Sequence, residues 1–142
     1  MRTVRELLEK RASTLWHVHP SDTVYSAIKL LADYEIGALM VMDRGKLVGI
    51  VSERDYTRKV ALQGRNSKDT TVADIMTSNV MVVKPQTSTR DAMALMSEKK
   101  IRHLPVLDGG IVVGMISIQH IMDDIIADHE MTIAQLESYI HS

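Results

Sequence analysis

Ser52 and Asp55 stand three residues apart after an apolar run, in Gly49-Ile50-Val51-Ser52-Glu53-Arg54-Asp55. That spacing has two chemical uses. At a helix start it makes a capping box, in which serine and carboxylate each accept from the other's backbone N–H; such a box contributes on the order of 1 kcal/mol. An aspartate at the third helical position also accepts hydrogen bonds from both vicinal hydroxyls of a ribose, as acidic residues do in dinucleotide sites. The two uses are compatible. Sixty-five residues later, Gly114-Met115-Ile116-Ser117-Ile118-Gln119-His120 repeats the pattern with an imidazole in place of the carboxylate. An imidazole does not grip a cis-diol as a bidentate carboxylate does, so the two positions are chemically unequal.

Phosphate would need cations, and a formal net charge of −1 supplies no global field for anions, nucleic acid or acidic membranes. Any anion site is local. Lys99-Lys100-Ile101-Arg102-His103 concentrates positive charge, whereas the equivalent Tyr34-Glu35-Ile36-Gly37-Ala38 does not. Lys99 and Lys100 read as a solvated helix end. Arg54 and Arg58, four apart on one helix, suit either a surface role or an anion. His17-x-His19 and the group His120, Asp123, Asp124 do not complete a metal-ligand set, so no metal is expected. There is no phosphate-cradling glycine loop, nucleophile motif or acid–base pair, which argues against an enzyme. The chain has no cysteine, which excludes disulfides, thiolate catalysis and thiolate-bound zinc. No apolar stretch reaches the roughly 20 residues of a membrane span. The charged amphipathic start is no signal peptide, so a cytoplasmic protein is expected, with no membrane or nucleic-acid partner.

The elements that position these residues are duplicated. Laying residues 15–55 on 80–120 without a gap makes 12 of 41 positions identical, among them Pro20/Pro85, Asp43/Asp108, Gly49/Gly114 and Ser52/Ser117. Upstream, Thr3-Val4-Arg5-Glu6-Leu7-Leu8 resembles Thr71-Val72-Ala73-Asp74-Ile75-Met76 at an offset of 68. Each copy reads β-α-β-β-α. Strands at about 15–19 and 80–84 end at a proline. A helix follows, capped near Ser21/Asp22 or Thr87/Ser88, with Val24, Ala27, Ile28, Leu31 and Tyr34 on one face in the first copy and Ala92, Met93, Leu95 and Met96 in the second. Two apolar strands joined by Asp43-Arg44-Gly45 or Asp108-Gly109-Gly110 form a hairpin. The helix after Ser52 is predicted to reach Leu62, with 63–70 as linker. Ile118–Ala127 closes the second copy, and Ile133, Leu136 and Ile140 stripe a further helix suited to packing on the module or on a second chain.

The duplicated unit, with Ile101-Arg102-His103-Leu104-Pro105-Val106-Leu107-Asp108, Asp74-Ile75-Met76-Thr77 and both glycine–serine stretches, resembles the CBS domain. Two in tandem resemble a CBS pair, or Bateman module, over about residues 1–128. The expected architecture is α+β: two tandem β-α-β-β-α repeats related by a pseudo-twofold, with short helices at both ends. The expected domains are 1–66, 67–128 and a terminal helix at 129–142.

By that resemblance, adenosyl ligands such as AMP, ATP, S-adenosylmethionine or NAD/NADH bind in two clefts and regulate something. Asp55 with Ser52 would hold ribose. Arg102, His103 and Gln119 would meet the phosphate, and Arg54 could serve the opposite cleft. Adenine would lie among Trp16, Val18, Ala38, Leu39, Met40 and Ile50, with Leu15 at the edge; Trp16 either stacks on the ring or fills core. The second cleft would be lined by Val80, Met81, Leu104, Pro105, Ser117 and His120. The resemblance implies a stand-alone homodimeric sensor acting in trans on a regulated protein. The alternative is an interaction or scaffold module with vestigial clefts.

Overall fold

The computed structural model describes residues 2–11 and 15–141, the side chains of 139–141 excepted. The chain divides into two compact units: Thr14–Met81 with Gly109–Val112, and Met1–Ser13 with Val82–Asp108 and Val113–Ser142. This differs from the contiguous division at residue 66, and the hydrogen bonds show why.

In the first of these units, β1 (His17–Val18), β2 (Ala38–Asp43) and β3 (Lys46–Ser52) form one sheet in that order. β1 runs parallel to β2, and β2 antiparallel to β3 with Met40 opposite Ile50. Arg44 and Gly45 both carry positive φ, 54° and 76°, as a two-residue turn matched to strand twist requires. α2 (Val24–Asp33) lays Val24, Ala27 and Leu31 on the sheet, where they meet Val18, Leu39, Val41, Val51 and Val60. Tyr34, placed on that face by periodicity, follows the helix and is half exposed.

α3 (Glu53–Tyr56) passes into a π-helical turn, Thr57–Ala61, in place of a regular helix to Leu62. The Leu62 N–H donates to the Thr57 carbonyl at 3.0 Å, one residue further back than an α-helix allows.

The short helix α4 (Val72–Ile75) completes this core. The Val24 N–H donates to the Thr70 carbonyl, and the Val72 and Ala73 N–H groups return to the carbonyls of Asp22 and Pro20, all at 2.8–2.9 Å. The other unit repeats the device with α1 (Val4–Glu9): the Thr89 N–H donates to Arg2, and Val4 and Arg5 donate to Thr87 and Pro85. So the helix that leads the first repeat in sequence docks on elements of the second, and α4 docks on the first. Each leading helix begins with a capping box, Thr3 with Glu6 and Thr71 with Asp74.

That second unit also holds α5 (Thr89–Lys99), which buries Ala92 and Met96, the strand β4 (His103–Asp108), and most of its hairpin partner β5 (Ile111–Ser117). The strand predicted at 80–84 reduces to one parallel bridge, Val83 with Val106. Pro85 has no N–H with which to extend the ladder. α6 runs unbroken from Ile118 to His141, with no glycine or proline to divide it. Arg2 reaches Asp124 at 3.0 Å and Asp128 at 2.6 Å, and Lys10 reaches Asp124 at 3.2 Å, pinning the chain start along α6. Ile133 and Leu136 are exposed; the Ile140 side chain lies outside the described residues.

Candidate functional site

Ser52 is extended, with φ −131°, so its side chain turns back over the first turn of α3. Its Oγ accepts from the Asp55 N–H at 3.3 Å, while Oδ2 of Asp55 accepts from the Ser52 N–H at 2.9 Å and its hydroxyl at 3.1 Å. The capping reading of this pair is therefore realised. The other oxygen, Oδ1, lies 3.2 Å from Nζ of Lys59. Lys59 is itself tethered, donating to the Ile75 carbonyl at 2.8 Å. The carboxylate is 14% exposed and fixed at both oxygens. A diol would use the lone pairs that remain.

In the second repeat the imidazole reproduces the box. The Ser117 N–H donates to Nδ1 of His120 at 3.2 Å, and the His120 N–H donates to Ser117 Oγ at 3.2 Å. An accepting Nδ1 carries no proton, so the ring is neutral with its hydrogen on Nε2. Burial lowers its pKa, and Arg11 lowers it further, against the opposing pull of Asp123. This position presents a single N–H donor where the first repeat presents a carboxylate.

His103 begins β4. Burial, then His120 and Arg102, push its pKa down to about 4. It is therefore uncharged near neutral pH, and of the basic pair Arg102-His103 only the exposed guanidinium carries charge there. The Arg102 carbonyl accepts from the Ile118 N–H at 2.9 Å, matching the Glu53 N–H on the Gly37 carbonyl at 3.1 Å. In both repeats this bond ties the strand start to the helix start. Gln119 is exposed and donates to Asp123 at 2.8 Å. Arg54 is exposed on α3.

The residues expected around adenine divide by burial. Leu39 has no exposed surface and lies in the core with Val51, so its side chain is not available to line a cleft. Ala38 is buried too, and Ile50 exchanges both backbone bonds with Thr77. Trp16 stacks on Tyr34, ring centroids 3.8 Å apart, and packs on the core. Val18 and Met40 border an open groove of about 580 Å³ with Leu15, His17, Met42, Arg44 and Ile111. Of the residues expected in the second cleft, Leu104 and Pro105 are buried beside half-buried His103, while Val80 and Met81 belong to the other compact unit.

Three features went unread in the sequence. Lys59 lies one turn from Asp55, a spacing that signals an ion pair. His19 accepts at Nδ1 from Ser21, with Oγ at 2.7 Å, and places Nε2 3.1 Å from Asp43 Oδ1; this chain of contacts is exposed. The charge of Arg11, which helps to lower the His120 pKa, has no local signal at all. Among the described residues no group of three or more His, Cys, Asp or Glu could hold a metal, and no helix is long and apolar enough to cross a membrane.

The family profile "CBS domain" matches residues 4–62 and 72–127. The mitochondrial CBS domain-containing protein CBSX3 of Arabidopsis thaliana is 41% identical over 133 residues, covering 90% of this chain. The chain spans 64% of that relative and about a quarter of several longer CBS domain-containing proteins of the same plant. A solved protein with CBS domains from Burkholderia ambifaria MC40-6 is 50% identical with a TM-score of 0.87, over 89% of this chain and 96% of that one. The CBS domain pair of MJ0100, solved with 5-methylthioadenosine and S-adenosyl-L-methionine, is 25% identical with a TM-score of 0.79, over 90% and 98% of the two chains.

Proposed function

This chain belongs to the CBS-domain family as a tandem pair, and from that premise we propose that it is a regulatory module that binds an adenosyl ligand and signals in trans. The observation that carries the reading is the Asp55 carboxylate, held rigid at a helix start in the first repeat and replaced by an imidazole in the second. Asp55 and Ser52 take the ribose. The ligand is of the AMP, ATP or NAD class, and the module works as a homodimer without catalysing a reaction. Support comes from the adenosyl compounds bound by the MJ0100 pair. Binding orders the residues it touches and shifts a conformational population, which is how occupancy becomes a signal.

Thermal shift with AMP, ATP, NAD, NADH and S-adenosylmethionine tests this. A ligand at about 100 times its Kd stabilises the folded chain by roughly 2.7 kcal/mol. Asp55→Ala abolishes that gain. A melting temperature unmoved by the whole panel overturns the reading. The second reading, an interaction module with vestigial clefts, is favoured by one fact: both Asp55 oxygens already have partners within the protein. Light scattering checks the dimer.

A further inference from the structure

β1 and β2 lie side by side and parallel, with His17 opposite Met40. Val18, Leu39 and Val41 belong to the core under α2. Side chains alternate across a strand, so His17, Met40 and Met42 stand together on the other face, and all three line the open groove there. The groove belongs wholly to one compact unit, since Ile111 and Val112 at its edge cluster with residues 14–81. Adjacent strands are about 4.8 Å apart, so an imidazole and two thioethers on such neighbours can reach one ion between them. Nδ1 of His17 donates to the Leu15 carbonyl at 3.0 Å. A carbonyl only accepts, so in the neutral ring Nδ1 holds the hydrogen and Nε2 keeps its lone pair. Metal-ligating imidazoles are braced in this way. His19, two residues on, has both nitrogens engaged, by Ser21 and Asp43, and supplies no ligand. Met40 is 2% exposed and Met42 half-buried, so water has little access to their sulfurs.

Zinc is poorly served here. It takes thiolate, imidazole or carboxylate, and among the described residues no three of His, Cys, Asp or Glu are grouped to hold it. Thioethers are soft ligands and select Cu(I). All three groups are uncharged, and Asp22 and Arg44, which also line the groove, offset one another. Such surroundings suit one positive charge better than two, because desolvating an unpaired charge is costly. We propose that His17, Met40 and Met42 form a site for a soft monovalent metal ion of the Cu(I) class. The ion cross-links β1, only two residues long, to β2, so its uptake tightens that edge of the sheet. Ser52 pairs with Ala38 at the start of β2, whereas the groove runs to Arg44 and Gly45 beyond its end; Asp55 takes no part in the site.

The test uses the full chain, which has no cysteine to act as a thiolate sink. Cu(I) is added without oxygen in competition with bicinchoninate, a coloured Cu(I) chelator, and Ag(I) in nitrate buffer serves as a redox-inert probe. Native mass spectrometry gives the stoichiometry, and NMR follows the methionine methyl groups. One equivalent is expected to bind, moving the Met40 and Met42 methyls and leaving the other eight of the ten methionines in place. Leucine conserves the volume of methionine, so Met42→Leu removes the sulfur and keeps the packing. Met42→Leu and His17→Gln should each weaken Cu(I) binding at least about tenfold, the cost of losing even a partner of a metal ligand, while the melting temperature without metal stays within a few degrees. No binding, binding spread over several methionines, or a single site that both substitutions leave intact overturns the proposal. So does Zn(II) held more tightly than Cu(I).

Discussion

Nζ of Lys59 stands 3.2 Å from Oδ1 of Asp55, one turn along the same helical segment, while Oδ2 of that carboxylate closes the capping box on Ser52. The acid proposed to hold ribose is thus also a structural acid. Substitutions at Asp55 must separate the two roles.

Asp55→Asn keeps an oxygen for the Ser52 N–H and removes the charge. It is expected to cost under about 1 kcal/mol, whereas Asp55→Ala costs about 1–2 kcal/mol because cap and ion pair go together. Both should lose the ligand-induced rise in melting temperature. Urea midpoints measure the first effect and thermal shift the second. An Asn variant that keeps the full ligand shift would remove Asp55 from the ribose.

His120→Asp restores the carboxylate found in the first repeat. A charged acceptor replaces Nδ1 opposite the Ser117 N–H at the start of a 24-residue helix, and an acid near a helix N-terminus is favourable. The expected gain at pH 7 is about 0.5–1 kcal/mol by urea unfolding.

Acid should weaken the fold through His103. Its pKa is about 4 when folded against 6.5 ordinarily, so between these values the unfolded chain binds more protons. The contribution is complete above about pH 6.5 and is lost as pH falls toward about 4. Discounted for partial exposure, it amounts to about 2–3 kcal/mol. His120, shifted the same way, adds to the loss. His103→Gln should flatten urea midpoints plotted against pH between 6.5 and 5.

Gly49 and Gly114 mark close approaches, and they should differ in tolerance. A Cβ at Gly49 would lie 2.6 Å from Met76 Sδ and 3.1 Å from the Thr77 carbonyl oxygen, a backbone atom that cannot swing aside. At Gly114 it would meet the tip of Leu8 at 2.8 Å, a flexible side chain. Gly49→Ala should cost about 1–3 kcal/mol and Gly114→Ala less. Thermal unfolding of the two variants gives the order.

Local chemistry was legible in the chain. Ser52 with Asp55, the Arg44-Gly45 turn and the apolar face of α2 all act across a few residues, so spacing specifies them. The duplication announced itself because each copy keeps those local signals. The two unequal helix starts were visible as an aspartate against a histidine, but the imidazole's work as a cap was not. Whether Nδ1 or Nε2 faces Ser117 is a matter of rotamer and packing.

Tertiary structure decided which helix completes which core. Capping boxes at Thr3 and Thr71 say that helices begin there; only hydrogen bonds such as Val4 to Thr87 and Val72 to Asp22 say where they dock. It likewise buried Leu39 and brought Arg2 to Asp124 and Asp128, more than a hundred residues later. Contacts at such separations depend on how elements pack and leave no periodic trace, so residue order determines the parts and packing determines their neighbours.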